Sequence, residues 1–390
     1  MIMLKRKRFL KLFLLFFLVT QIFVPSKKVM GATNTEKNIP LDAIMYANEH
    51  YKEVVNLEEH YKEKNKGVDI RFDDLKLGSP FVIYEMGESV QDEIYYFPLL
   101  DSNDSIILVM NVIGTTKGWC VSFSDEWVDE LRKLDVLTLD DNIFKSGDAL
   151  YVGNNISVNS LSTNICNDQL NNILVNYSSA NSSNLQLENI LLFSTDKRFV
   201  KVDTEHISIS DENIKDKYTP SINAVSNDSK QCVLYNKKGQ GNYGLCWAAS
   251  VATICNYLNG SNITAKNVAD KMNIGYNEGA GLYDAQMAMN AYGVIYNNFN
   301  YSTAYRMSWS ALKTNISDKY PVYVSAKSSD SGHAVVAYGF TVAAGTPYVA
   351  MWNPGINGGK GDSISAEFSE RTAFVYSNKT YVWTYSVSKC

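Results

Sequence analysis

The feature that most constrains the fold is a change of hydrophobic pattern within the last 160 residues. Three segments with helical spacing of apolar residues come first and end near glycines: "CWAASVATICNYLNG", "AKNVADKMNIG" and "LYDAQMAMNAYG". After Tyr320 the pattern changes to four strand-like segments: "YPVYVSAK", "GHAVVAYGF", "PYVAMWNP" and "YVWTYSV". Helices followed by strands predict an α+β fold with two subdomains side by side, a helical half and an antiparallel β half, with a cleft between them.

The first 32 residues have the pattern of a secretory signal. Four basic residues from Lys5 to Arg8 precede an apolar run, and the small residues Gly31 and Ala32 follow it. We therefore expect cleavage near Gly31 and Ala32 and a secreted, extracellular product. A membrane anchor is the alternative, but Lys11 interrupts the run, which is shorter than the roughly 20 residues that a span needs. No stable membrane anchor is expected.

The charge of the remaining chain divides into two regions of opposite sign. Residues 33–230 carry 17 Lys and Arg against 33 Asp and Glu, whereas residues 231–390 carry 12 against 8. Charge blocks are usually solvated surface, but opposite signs on consecutive segments also fit a region that docks on its neighbour. The weak positive charge of the second region, without a phosphate-binding Gly-rich loop, does not favour nucleic acid as a partner.

The acidic region, residues 33–207, predicts a separate α+β unit with an antiparallel sheet. An amphipathic helix is expected from Leu41 to about Lys66, and a second helix over "DEWVDELRKL". The turn-forming "DSND" between two apolar runs predicts a β-hairpin. The strand-like segments are "PFVIYEM", "EIYYFPLL", "SIILVMNVIG", "WCVSFS", "QLENILLFST" and "RFVKV".

Residues 208–231 interrupt these patterns. They are polar, have no hydrophobic period and contain Pro220, which predicts an exposed linker of the kind that proteases cut. Residues 232–390 then form the domain in which helices precede strands.

A cysteine at the start of the first helix of this domain points to thiol chemistry. Cys246 begins an apolar helix, whose positive end should lower the pKa of the thiol. His333 is the one histidine of four that lies in the last 160 residues, so a histidine base here must be His333. Asn353 ends the next strand, where its amide can orient the far nitrogen of His333, and Trp352 can cover the pair from water. Taken singly, such a histidine is usually structural and such an asparagine usually forms a turn.

Gln240 completes the set, six residues before the cysteine. Acyl transfer develops an oxyanion, and the side-chain amide of Gln240 and the backbone N–H of Cys246 can supply two donors to it. Gly239, Gly241 and Gly244 allow the tight backbone path that brings the two donors together. If any of the other three residues were missing, Gln240 would be better explained as a surface residue of a flexible loop.

As a set, these motifs resemble the papain-like cysteine peptidases, and within them the secreted bacterial zymogens of the staphopain type. "QGNYGLCWAAS" resembles the block with the oxyanion glutamine and the nucleophilic cysteine, "GHAVVAYG" the histidine strand, and "WNPGINGG" the staphopain form of the asparagine block. The resemblance implies a two-subdomain fold, the catalytic residues Cys246, His333, Asn353 and Gln240, no metal or organic cofactor, and a prosegment ahead of the catalytic domain.

The predicted function is hydrolysis of peptide bonds in proteins or peptides through a thioester on Cys246, with His333 as acid and base. The acidic region is expected to inhibit the catalytic domain within the same chain until the linker is cut. Three alternatives stay open: an exported cell-wall amidase or peptidoglycan endopeptidase, a bacteriocin-leader peptidase, and a non-catalytic secreted binding module on a papain-like shell.

The sequence also departs from the family pattern. Tyr243 stands where plant-type members have a disulfide cysteine, and Pro354 follows the asparagine where papain has a serine, so shielding of the asparagine must come from elsewhere. Met287, Tyr283 and Tyr338 are candidates for the wall of the S2 substrate pocket.

Six cysteines are present, and no two have the spacing of a zinc site. A bridge between Cys232 and Cys390 and another between Cys120 and Cys166 are candidate disulfides. Cys255 lies among apolar residues in the predicted helix and is expected to be a buried free thiol.

Overall fold

The structure is a computed structural model, which describes residues 39–57, 61, 75–78, 80–85, 92–132, 142–146, 149–153, 158–160, 228–300 and 307–390. We call the described residues up to 160 the N-terminal region and those from 228 onwards the C-terminal region. The predicted signal, the segments "QLENILLFST" and "RFVKV", and the predicted linker up to residue 227 lie outside the described residues.

The N-terminal region begins with helix α1 (Leu41–His50), which continues as a 3₁₀ helix over Tyr51–Leu57. The sequence predicted a single α-helix here. The tighter winding includes the adjacent Val54 and Val55, β-branched residues that lose side-chain freedom in an α-helix. The second predicted helix is the short α2 (Val128–Leu131).

Two groups of strands follow α1. Within the described residues, β1, β3, β4 and β5 form an antiparallel series, while β2 pairs in parallel with β6, which continues to β7 and β8. The hairpin predicted at "DSND" is confirmed, since β3 and β4 pair on either side of it. The strands are β1 (Lys76–Leu77), β2 (Ile83–Glu85), β3 (Ile94–Leu100), β4 (Ile106–Thr115), β5 (Gly118–Ser124), β6 (Asn142–Ser146), β7 (Ala149–Gly153) and β8 (Val158–Ser160).

The C-terminal region contains the three predicted helices, α3 (Cys246–Asn259), α4 (Ala265–Met272) and α5 (Leu282–Ala291). Helix α3 ends at Gly260, whose φ of 66° is the left-handed conformation that favours glycine after a helix. A further helix, α6 (Trp309–Ser317), was not predicted.

The strands of the C-terminal region are β9 (Lys230–Gln231), β10 (Asn298–Asn300), β11 (Val322–Lys327), β12 (Gly332–Ala343), β13 (Thr346–Asn353), β14 (Asp362–Glu367), β15 (Ala373–Tyr376) and β16 (Lys379–Ser388). Their central series runs β14-β13-β12-β11-β16-β10, and each strand in it is antiparallel to its neighbours. Strand β9, at the end of the predicted linker, pairs with β12.

The two regions share one sheet. Strand β5 pairs antiparallel with β14, where Phe123 lies opposite Ser365 and Ser122 opposite Ala366. The pairing joins the N-terminal strands to the C-terminal series and covers the edge that β14 would otherwise expose. Tyr348 of β13 also packs into the apolar core of the N-terminal region. The described fold is α+β, as predicted.

Candidate active site

Cys246 is the first residue of α3 and is half-buried. The backbone N–H of Ala334, one residue beyond His333 on β12, faces its sulfur, as does that of Trp247. Burial nevertheless raises the pKa of the Cys246 thiol, and these backbone N–H groups only reduce the rise. The predicted lowering of the pKa by the helix terminus is therefore wrong for this structure, because burial of the sulfur outweighs it.

His333 lies near the start of β12 and is only 5% exposed. Its Nε2 is 2.7 Å from Oδ1 of Asn353, the last residue of β13. Burial lowers the pKa of His333 to about 4, and the contact with Asn353 opposes this shift. The adjacent antiparallel strands thus bring the two side chains together.

The hydrogen bonds of Asn353 define which nitrogen of His333 carries the proton. Asn353 Oδ1 also accepts a hydrogen bond from the backbone N–H of Gly355, at 3.0 Å. Because a backbone N–H can only donate, the atom that it faces is the amide oxygen, and His333 Nε2 must then be the donor. In the neutral ring, Nδ1 then carries the free lone pair. Nδ1 is therefore the nitrogen that can accept a proton.

The burial of both groups favours a neutral thiol and a neutral imidazole at rest. Transfer of the thiol proton to His333 would create two opposite charges in one step, and each would stabilise the other. The cost of the transfer is therefore smaller than the cost of ionising either group alone.

Gln240 lies in a loop that is hydrogen-bonded to the turn after Asn353. The backbone N–H of Gln240 donates to Pro354 O at 3.0 Å, and that of Gly241 donates to Gly359 O at 2.9 Å. A Cβ on Gly239 would lie 2.1 Å from the same Gly359 oxygen, so this approach requires glycine. Among the described residues, Gln240 Oε1 is buried without a hydrogen-bond partner, and its Nε2 is the donor that an oxyanion requires.

The covering role suggested for Trp352 stays a prediction. The Nε1 of Trp352 donates to Lys238 O at 3.0 Å, so the indole holds the segment just before Gln240. The ring that stacks on His333 belongs to Tyr376, with centroids 4.4 Å apart and planes 21° from parallel. Sequence reasoning missed Tyr376, since it lies beyond the motifs in a strand that was not predicted.

The candidates for the substrate pocket separate into two kinds. Tyr338 is buried and its hydroxyl donates to Ser363 Oγ at 2.9 Å, so it belongs to the core rather than to a substrate wall. Tyr283 and Met287 are exposed on α5, and their role in the pocket stays a prediction.

The cysteines are free thiols where the structure describes them. Cys232 is buried, Cys390 is exposed, and no bridge joins them, so that predicted disulfide is wrong. Cys120 is a buried free thiol whose pKa burial raises to about 12, while Cys166 lies outside the described residues. Cys255 is a buried free thiol, as predicted.

The described part of the chain contains no cluster of three or more His, Cys, Asp or Glu side chains that could hold a metal ion. None of its helices is both long enough and apolar enough to cross a membrane.

Residues 228–370 match the family model described as papain-like cysteine protease AvrRpt2. The match contains all four predicted site residues and leaves residues 1–227 unmatched. The match covers less than half of the chain and supports a cysteine-type peptidase, in which residues 228–370 are similar to a papain-like cysteine protease. The roles of the individual residues remain predictions.

Comparisons with other proteins add little. No curated protein sequence matches the chain. Among solved structures, digestive procathepsin L 3 of the Tenebrio molitor larval midgut is similar at 12% identity over 42% of this chain and 72% of that chain. The TM-score of 0.29 is too low for this likeness to support an argument.

Proposed function

We propose that the chain is a secreted cysteine endopeptidase, made as a zymogen of the staphopain type, that cuts peptide bonds through an acyl-enzyme on Cys246. The observation that carries the proposal is the hydrogen-bonded series from His333 through Asn353 to Gly355, beside the helix that begins with Cys246. This series leaves His333 Nδ1 as a base, which is what a thiol with a raised pKa requires.

In the proposed reaction the Cys246 sulfur attacks the carbonyl carbon of the scissile peptide bond, while the thiol proton moves to His333 Nδ1. The oxyanion accepts hydrogen bonds from the side-chain amide of Gln240 and the backbone N–H of Cys246. The C–N bond breaks as His333 returns the proton to the leaving amine. Water then hydrolyses the thioester, giving one proton through His333 to the sulfur, while Asn353 orients the ring throughout.

The N-terminal region fits an inhibitory prosegment because it binds the turn that follows Tyr376. In the described part of the chain, five hydrogen bonds join the N-terminal region to residues 377–380, which directly follow the tyrosine that stacks on His333. The bonds are Ser377 N to Glu126 Oε1 at 2.9 Å, Thr380 N to Asp92 Oδ2 at 2.6 Å, Tyr96 Oη to Asn378 Oδ1 at 2.7 Å, Asn378 Nδ2 to Glu85 Oε2 at 3.1 Å, and Asn378 Nδ2 to Ile83 O at 3.3 Å.

A second group of polar contacts lies between the regions. The buried carboxylate of Glu53 accepts from the hydroxyls of Thr346 and Tyr348, and Tyr46 Oη donates to Glu367 at 2.9 Å. Buried hydrogen bonds to charged groups are costly to break singly. These contacts of Glu53 and Glu367 therefore favour a prosegment that stays bound until the chain is cut.

Self-processing tests the proposed function. The precursor without its signal, residues 33–390, is incubated under mild reductant beside its Cys246→Ala twin, and both are followed by intact mass. We expect the unsubstituted chain alone to mature to a fragment that begins between residues 208 and 231. An uncut precursor that also fails to digest casein after limited proteolysis would contradict the proposal, whereas digestion of purified peptidoglycan instead of casein would favour a cell-wall enzyme.

The inhibitory contacts are tested in the same precursor. Asp92→Asn and Glu126→Gln weaken the hold on residues 377–380, so we expect maturation several times faster. Asp129→Asn is the matched control, because Asp129 is exposed and pairs with Arg132 within the N-terminal region. Equal rates for all three variants and the parent would contradict the inhibitory role of these contacts.

Export is tested by the N-terminus of the protein recovered from the culture medium. We expect it to begin at or just after Gly31 and Ala32 in a strain that produces the inactive Cys246→Ala chain. Retention of the whole chain in the cell would contradict secretion.

A further inference from the structure

Tyr376 is the last residue of β15, and its ring lies face to face with the His333 imidazole at 4.4 Å. Phe374 and Tyr381 flank the imidazole, with ring centroids 6.4 Å and 5.5 Å from it. One side of His333 is therefore enclosed by aromatic side chains, of which Tyr376 is the one in stacking contact.

The same tyrosine ring covers the turn that holds Asn353. A Cβ placed on Gly355 would lie 2.4 Å from Tyr376 Oη and 2.5 Å from its Cζ, so the ring occupies the space that a side chain would need. The N–H of Gly355 donates to Asn353 Oδ1, which faces His333 Nε2. Tyr376 therefore packs against both ends of the hydrogen-bonded series that fixes the His333 tautomer.

The hairpin that carries Tyr376 is tied to the loop that leads into His333. Ser331 Oγ is 2.8 Å from Tyr381 Oη, and Lys379 Nζ is 2.6 Å from Asp330 Oδ2. These contacts fix the hairpin at two points against the residues just before His333. Both contacts are made by β16, the strand that follows Tyr376, and they help to hold the stacking geometry.

The chemistry of the ring suits a histidine that becomes charged. An aromatic face attracts a cation, and more strongly where water is excluded. A covered hydrogen bond is also stronger than one exposed to water. The stack would therefore stabilise the imidazolium that forms when His333 takes the thiol proton, in addition to holding the neutral ring in place.

We propose that Tyr376 is a positioning residue for the His333–Asn353 pair, holding the imidazole against Asn353 and stabilising its protonated form. The proposal rests on the proposed function, because it assumes that His333 accepts the proton of Cys246. In this role Tyr376 shields the hydrogen bond between His333 and Asn353, which the residues that follow Asn353 do not do. It does so from a strand outside the sequence motifs.

The test measures alkylation of Cys246 by iodoacetamide in the full precursor, with each cysteine peptide resolved by mass spectrometry. Tyr376→Phe keeps the aromatic face, whereas Tyr376→Leu and Tyr376→Met remove it. Between pH 5 and pH 8, where His333 must accept the proton, we expect alkylation about 10-fold slower in Tyr376→Leu and Tyr376→Met and within twofold of the parent in Tyr376→Phe. At a pH high enough to ionise the thiol without help, all four rates should agree.

A merely structural role for Tyr376 predicts a different pattern. Equal alkylation in all four proteins between pH 5 and pH 8, or an equal loss at every pH, would overturn the proposal. The thermal midpoint of each variant is measured alongside, and if one aromatic-free variant is unfolded the other is used. The ¹⁵N spectrum of histidine-labelled Cys246→Ala precursor gives a second readout, in which Tyr376→Leu should remove the ring-current shift of His333 and Tyr376→Phe should keep it.

The alkylation test also separates this proposal from the proposed function. A slower reaction in the aromatic-free variants, in a chain that cuts no protein substrate, would support the role of Tyr376 and contradict the endopeptidase. Unchanged alkylation in the aromatic-free variants of a chain that matures and digests casein would support the endopeptidase and contradict the role of Tyr376. In an active enzyme, the same variants should lower kcat about 10-fold with little change in KM.

Discussion

The two halves of the site are held in different ways. Cys246 is positioned by backbone, at the first residue of a helix and opposite the N–H groups of Ala334 and Trp247. His333 is positioned by side chains, through its contact with Asn353 and its stack on Tyr376. Replacement of Cys246 should therefore leave the structure intact, whereas replacement of a residue that positions His333 should disturb both the geometry of the site and the stability of the fold.

The largest effect is expected from Cys246→Ala. Because the backbone places this residue, the substitution should abolish peptide cleavage, a loss of about 10⁴-fold or more, and leave the free energy of unfolding within about 1 kcal/mol. Hydrolysis of a fluorogenic peptide library and urea denaturation check the two parts. Residual cleavage within 100-fold of the parent would show that another residue is the nucleophile.

Asn353→Ala should harm both activity and stability. It removes the acceptor of two donors, His333 Nε2 and the N–H of Gly355, so we expect about 2–4 kcal/mol lower stability and a kcat about 100-fold lower. Asn353→Asp keeps an acceptor at the same place and should lose less of both. An Asn353→Ala enzyme with the kcat and urea midpoint of the parent would break the contrast between the two halves.

The depressed pKa of His333 predicts a loss of stability in acid. The native imidazole titrates near pH 4 and the unfolded one near 6.5, so the unfolded chain binds the extra proton between these values and stability falls as the pH drops. The loss attributable to His333 is about 3 kcal/mol. Urea denaturation of Cys246→Ala and Cys246→Ala/His333→Ala chains from pH 7 to pH 4 measures it by difference. Parallel curves would contradict the burial of a neutral imidazole.

A smaller effect is expected from Gly239→Ala, which acts on the backbone that carries Gln240. The added Cβ meets the Gly359 oxygen, so the loop must shift, and we expect kcat/KM to fall about 10-fold. Gly244→Ala is the matched control, because its Cβ would make ordinary contacts of 3.4 Å or more with Asn277. Equal activity of the two variants would show that the position of Gln240 is not critical.

The sequence predicted helices and strands formed by neighbouring residues better than contacts between residues that are far apart in the chain. Helix α3 could be predicted from the spacing of its apolar residues and from Gly260. The approach of His333 and Asn353 could be predicted because they lie on two consecutive strands. Helix α6 was missed although Ser308 caps it and Leu312 and Ile316 are spaced for one buried face, so a signal was present.

Other features have no local signal. The pairing of β5 with β14 joins strand edges far apart in the chain, and Tyr376 reaches His333 from a strand beyond the motifs. The pKa of Cys246 was predicted in the wrong direction because helix position can be read from sequence, whereas burial depends on the whole fold.

Proton transfer from Cys246 to His333 is tested by the pH dependence of Cys246 alkylation in the parent and in His333→Ala, with each cysteine peptide resolved by mass spectrometry. If a neutral His333 accepts the thiol proton, the parent should react at a steady rate from just above pH 4 to pH 8, and His333→Ala should react appreciably only where the thiol ionises alone. Identical profiles for the two proteins would show that His333 does not act on Cys246.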